Sequence, residues 1–145
     1  PAELHSRYEI LLENYSKTVN IEALTMVDMA RKEILPAVEG YTKSLAETLA
    51  AKKAAVAGLP CKYETATITK LSELSDKIAD ATADLDSEIA KFQAIEDVTE
   101  AANDIRDVIL GKMDALRAVC DEAETITAKE FWPFPTYSDL LFSVK

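Results

Sequence analysis

ITKLSELSDKIADATADLDSEIAKF, residues 68–92, decides the fold. Ile68, Leu71, Ser75, Ile78, Thr82, Leu85, Ile89 and Phe92 alternate steps of three and four, a repeat of 3.5 residues that keeps one side chain row facing a partner helix. Lys70, Glu73, Asp76, Lys77, Asp80, Asp84 and Glu88 fill the other side, as a solvated face requires. A helix over about 65–92 would be a rod of roughly 42 Å at ~1.5 Å per residue. That is longer than a small globule is wide, so the pattern predicts an elongated hairpin of rods.

The same spacing extends on both sides. Upstream, Leu4, Tyr8, Leu11, Leu12, Tyr15 and Val19 advance by three and four, and Leu24, Val27, Ile34, Val38, Tyr41, Leu45 and Leu49 continue the row. This predicts one helix over about 3–57, stopped by Gly58 and Pro60. Pro36 lies inside it, removes a backbone donor and crowds the preceding turn, which predicts a kink rather than a break because the apolar row keeps its phase. Downstream, Asp97-Val98-Thr99-Glu100 has the form of a capping box. Val98, Ala102, Ile105, Ile109, Met113, Leu116, Cys120 and Ala123 then define a third helix over about 98–128. Gly111, inside it, marks a point where another backbone could come close. Short links favour antiparallel neighbours. The expected fold is all-α: one domain over 1–145, an elongated antiparallel bundle of three long helices, the first kinked near Pro36, with an aromatic and proline-rich tail over 131–145.

Composition narrows the function. The chain has 145 residues, 48% of them hydrophobic, enough for a core. Sixteen basic against twenty-six acidic residues give a net charge of −10. No basic cluster matches a phosphate backbone, and the same charge opposes anionic lipid, so neither nucleic acid nor a membrane is an expected partner. Cys61 and Cys120 lack metal-ligand spacing and are too few for a disulfide framework, which predicts reduced thiols and a cytoplasmic setting. The sequence starts at Pro1 and enters a helical pattern at once, as a fragment of a longer chain would.

The inventory for chemistry is thin. His5 is the single histidine, so paired histidine ligands are excluded, and Ala2 stands where a Glu-x-x-His di-iron motif needs its glutamate. Glycines at 40, 58 and 111 are too scattered to cradle a phosphate. Asp76, Asp80 and Asp84 form an i, i+4 ladder that reads as solvated surface. Glu9, Glu13 and Glu22 read the same way, and Tyr15, Asn20, Glu22, Thr25 and Asp28 as core edge or surface. Arg106 with Asp107, and Arg117 with Asp121, are expected surface ion pairs. No catalytic, cofactor-binding or metal-binding residue is assigned.

The tail, FWPFPTYSDLLFSVK (131–145), holds five of the chain's ten aromatic residues. Two prolines prevent an ordinary helix through it. Trp132, Phe134, Tyr137, Leu141 and Phe142 are the candidate packing or interface residues. Either the rings fold back over the helical body, or they dock into another chain, where rigid aromatic anchors lose little entropy.

Three stretches, RYEILLENYSKTVNIEALTMVDMARKEILPAV (7–38), RDVILGKMDALRAVCDEAE (106–124) and WPFPTYSDLLF (132–142), resemble the C-terminal region of type III glutamine synthetases. The likeness covers most of the chain, is more generic over 40–100, and corresponds to the end of a much longer subunit. It implies a parent enzyme that joins ammonia to glutamate with ATP and magnesium or manganese, built from hexameric rings into large homo-oligomers. No position here matches the family's metal-binding glutamates or nucleotide-contacting arginines. The resemblance therefore implies a structural or assembly region, inactive alone, whose partners are the catalytic part of its own subunit and neighbouring subunits. A free-standing coiled-coil interaction module is the alternative reading of the same pattern.

Overall fold

A computed structural model describes residues 2–135, which form three helical rods with no strand among the described residues. The first rod is unbroken: α1 (Ala2–Met29), one π-helical turn (Ala30–Ile34) and α2 (Leu35–Ala55). The second is α3 (Lys62–Gln93). The third joins α4 (Val98–Asp104), a second π-helical turn (Ile105–Ile109) and α5 (Leu110–Ile126). A 3-10 turn, Lys129–Phe131, opens the tail.

The first rod stays continuous across Pro36, as its apolar row implies. Its irregularity lies one turn earlier, where Leu35 donates its N–H to the Ala30 carbonyl, five residues back. Pro36 then falls directly after this π-helical turn, at the start of α2. The rod ends near the expected stop. Gly58 takes a φ of 75°, a left-handed conformation that costs a residue with a Cβ roughly 1–2 kcal/mol. Asp97 caps the third rod, its Oδ2 accepting from the Glu100 N–H at 2.9 Å.

The row read from residues 68–92 is the centre of the core. Leu71, Ser75, Ile78, Thr82, Leu85 and Ile89 are buried, with Ile68 and Phe92 packed at its ends. Leu74 joins them from one step to the side. The Thr82 hydroxyl is satisfied within its own helix, donating to the Ile78 carbonyl at 2.6 Å. Val19, Ala23, Val27, Ala30, Ile34, Val38 and Leu45 face α3 and its neighbours from the first rod. Ile105, Ile109, Met113, Leu116 and Ala123 do so from the third.

Ion pairs between rods give their directions. Lys52 meets Glu64 at 2.6 Å and Arg31 meets Asp86 at 3.0 Å, so residue numbers fall along the first rod as they rise along α3. Lys70–Glu122 at 3.3 Å and Lys112–Asp84 at 2.6 Å show the same reversal between α3 and α5. The exposed pairs are screened by solvent and act mainly as register marks.

Two local expectations need correction. The space around Gly111 is open, with nothing within 4 Å of the place a Cβ would occupy, so no backbone approaches there. The close approach is at Gly40, where a Cβ would lie 3.6 Å from the Phe131 ring. Arg117 pairs with Asp114 at 3.0 Å, one turn back, rather than with Asp121.

Candidate docking surface

Three features of the described surface stand apart from an ordinary charged bundle: the folded-back tail, a half-buried ion pair near the first turn-around, and an exposed apolar row at the start of α1.

The tail crosses the first rod close to the π turn. Phe131 packs on Tyr41, ring centroids 5.4 Å apart and tilted by 43°, over the gap left by Gly40. Trp132 and Phe134 are half-buried, edge to face at 6.4 Å, and lie against the hydrophobic core. With Met26, Met29, Ile34, Leu116 and Cys120 they line a pocket of about 210 Å³. Burial, aided by the charge of Asp121, pushes the Cys120 thiol up to about 11, which leaves it protonated and unreactive at neutral pH. Thus Trp132 and Phe134 are placed on the body of the bundle. Tyr137, Leu141 and Phe142 lie outside the described residues.

The turn between the first two rods is held by a contact that the apolar pattern alone did not single out. Glu64 is buried in the first turn of α3. The ammonium of Lys52, 2.6 Å away, holds its carboxyl below the usual range, and Lys52 is raised in turn. Extending the 68–92 row back by four residues reaches position 64, which is how the sequence could have revealed it. Beside it, the hydroxyls of Tyr41 and Tyr63 are 3.0 Å apart. That bond, with burial and the neighbouring phenol adding to it, pushes Tyr41 up to about 12. Tyr41 therefore links α2, α3 and the tail.

Residues 2–15 differ from all of this: none is buried. Leu4, Tyr8, Leu11 and Tyr15 are 65%, 59%, 68% and 47% exposed, although they keep the spacing of a helix-packing row. At 3.6 residues per turn their mean direction lies roughly 90–100° round the helix from that of Ser16, Val19, Ala23 and Val27, which enter the core. They are a second face, not a frayed continuation of the first. Glu3–Arg7 at 2.8 Å, His5–Glu9 at 3.0 Å and Glu13–Lys17 at 3.5 Å pair along the rest of the helix, and the apolar row is left uncovered.

Among the described residues no three His, Cys, Asp or Glu side chains converge. Asp84 of the acidic ladder is engaged by Lys112. Asp104 is pushed above the ordinary range, first by burial and then by Glu88 and Asp107, and its Oδ2 is buried without a hydrogen-bond partner. No helix of the described residues is long and apolar enough to cross a membrane.

The described residues form a three-rod helical bundle that carries an uncovered apolar face on α1. A family model described as the glutamine synthetase C-terminal domain matches residues 1–53. Glutamine synthetase of Butyrivibrio fibrisolvens is 36% identical over 143 residues, covering 99% of this chain and 20% of that protein. The type-3 glutamine synthetase of Dictyostelium discoideum is 26% identical over 146 residues, covering 98% of this chain and 20% of its own length. Glutamine synthetase of Bacteroides fragilis is 27% identical over 146 residues, with 97% and 20% covered. The chain matches the C-terminal region of these glutamine synthetases, and it spans about a fifth of the length of the relatives it matches.

Proposed function

We propose that this chain is the non-catalytic C-terminal region of a type III glutamine synthetase. In this reading the preceding part of the subunit ligates ammonia to glutamate, using ATP and magnesium or manganese, and serves cytoplasmic nitrogen metabolism. The helical region packs against that catalytic part and contributes contacts to neighbouring subunits of a homo-oligomer. One observation carries the reading: a relative 36% identical across 99% of this chain uses only 20% of its own length to match it. Consistent with this division, no three His, Cys, Asp or Glu side chains converge among the described residues.

The test is direct. The purified 145-residue chain, given glutamate, ammonia, ATP and magnesium, is expected to form no glutamine, while the full-length protein forms it. Glutamine from the isolated chain overturns the proposal. A free-standing interaction module is distinguished by the gene: in the proposed reading the open frame continues upstream into a catalytic region.

A further inference from the structure

We infer that the Leu4, Tyr8, Leu11 and Tyr15 face of α1 is the seat on which the preceding part of the same polypeptide docks, which rests on the reading just given. The face is built and it is not used by the bundle. The core row of the same helix, Ser16 through Val27, is satisfied by α3, α4 and their neighbours, and the second row points roughly a quarter turn away. The helix under it needs no separate nucleation, because it continues from the packed part of the rod.

Three arguments choose the occupant. The first is size. Four side chains on two heptads present a few hundred Å² in all, short of the roughly 800 Å² per partner that stable association of two free proteins requires. A second copy of this chain, pairing only through these residues, lacks the area to hold. A tethered partner does not need it, since a short link gives an effective concentration on the order of millimolar.

The second argument is length and direction. About four fifths of each relative lies outside the matched segment, and the matched family region is the C-terminal one, so that polypeptide enters at the α1 end. Leu4 lies within one helical turn of the start of α1. No other exposed apolar row in the described residues is so close to it.

The third is chemistry. Leu and Tyr alternate along the row, so each rung offers an aliphatic side chain or a ring with a phenol at its edge. Buried tyrosines usually find a partner for their hydroxyls. The complementary surface is an apolar groove with hydrogen-bond acceptors at its rim, opposite Tyr8 and Tyr15. The acidic and basic residues around the row are already paired with one another, so the contact does not depend on opposite charge.

A photo-reactive amino acid placed at position 11 of the full-length protein tests this. The expected product after illumination keeps the mass of one chain under denaturing conditions, and its linked peptides join residue 11 to sequence upstream of Pro1. Amide exchange supplies a second readout: residues 4–15 of the unmodified full-length protein should be protected to within about tenfold of residues 16–27. A product with the mass of two chains overturns the inference in favour of a neighbouring subunit, and absence of any product with exchange more than about 100-fold faster over 4–15 overturns it outright. Glutamine synthesis by the same preparation is scored separately. An active enzyme with an unprotected face sinks this inference alone, whereas an upstream sequence with no synthetase activity sinks the functional reading beneath it.

Discussion

Residues 68–92 of α3 and residues 4–15 of α1 carry the same kind of apolar row, and the bundle buries one while leaving the other in solvent. In α3 the row faces two rods along most of its length, and Leu71, Ile78 and Leu85 have no accessible surface. In α1 the row lies beyond and beside the packed part of the rod, with Leu11 68% exposed. The difference teaches that periodicity specifies which residues share a face but not what covers it. Coverage depends on where the other rods end and which way the helix is rotated, neither of which is local.

The contrast predicts a steep order of effects. Leu85→Ala, at the centre of the α3 row, is expected to destabilise the chain by about 2–5 kcal/mol through lost transfer energy and a residual cavity. Urea denaturation checks it, and a loss under about 1 kcal/mol would mean that the seam is loosely packed. At the end of that row, Glu64 adds an acid-sensitive contact. Its folded carboxyl titrates below its unfolded value because of Lys52, so its stabilisation is present above the unfolded value near 4.5 and is lost as pH falls through the folded one. The melting temperature of Glu64→Gln should therefore lie below that of the parent at pH 7 and converge with it in acid; parallel curves at all pH values would remove the ion pair from the account.

Smaller effects sharpen the boundary between the two regions. Asp97→Ala removes the cap of the third rod, at the end of the bundle where coverage of α1 stops, and should cost about 1 kcal/mol in the same denaturation assay. Leu11→Ala should change the stability of the isolated chain by no more than about 0.5 kcal/mol. A loss as large as that of Leu85→Ala would show that the exposed row is covered within the chain itself, and the comparison between the two regions would collapse.

Much of the molecule was legible from side chain spacing. The stops at Gly58 and Pro60, the cap at Asp97 and the core rows of α3 and α5 needed only local rules, since each depends on residues within a turn or two. The placement of the glycines was not legible. Gly40 and Gly111 look alike in sequence, yet only Gly40 meets a distant ring, Phe131, and that contact joins residues about ninety positions apart. The candidate surface was half legible: Leu4 to Val19 reads as one face, but Val19 turns into the core while Leu4, Tyr8, Leu11 and Tyr15 turn away from it. Position 64 was reachable by extending the α3 row, although the identity of its counter-ion was not. Lys52 lies across the turn, and several other lysines were equally placed in sequence to answer it.

The sequence by itself determined the helices and their limits, because backbone capping, proline and glycine geometry and a three-and-four spacing act over a few residues. Only the tertiary structure decided which apolar face was consumed by the bundle and which was left exposed. Burial is a property of the space between rods, and that space is set by their relative lengths, directions and rotation, quantities that no single stretch of sequence contains.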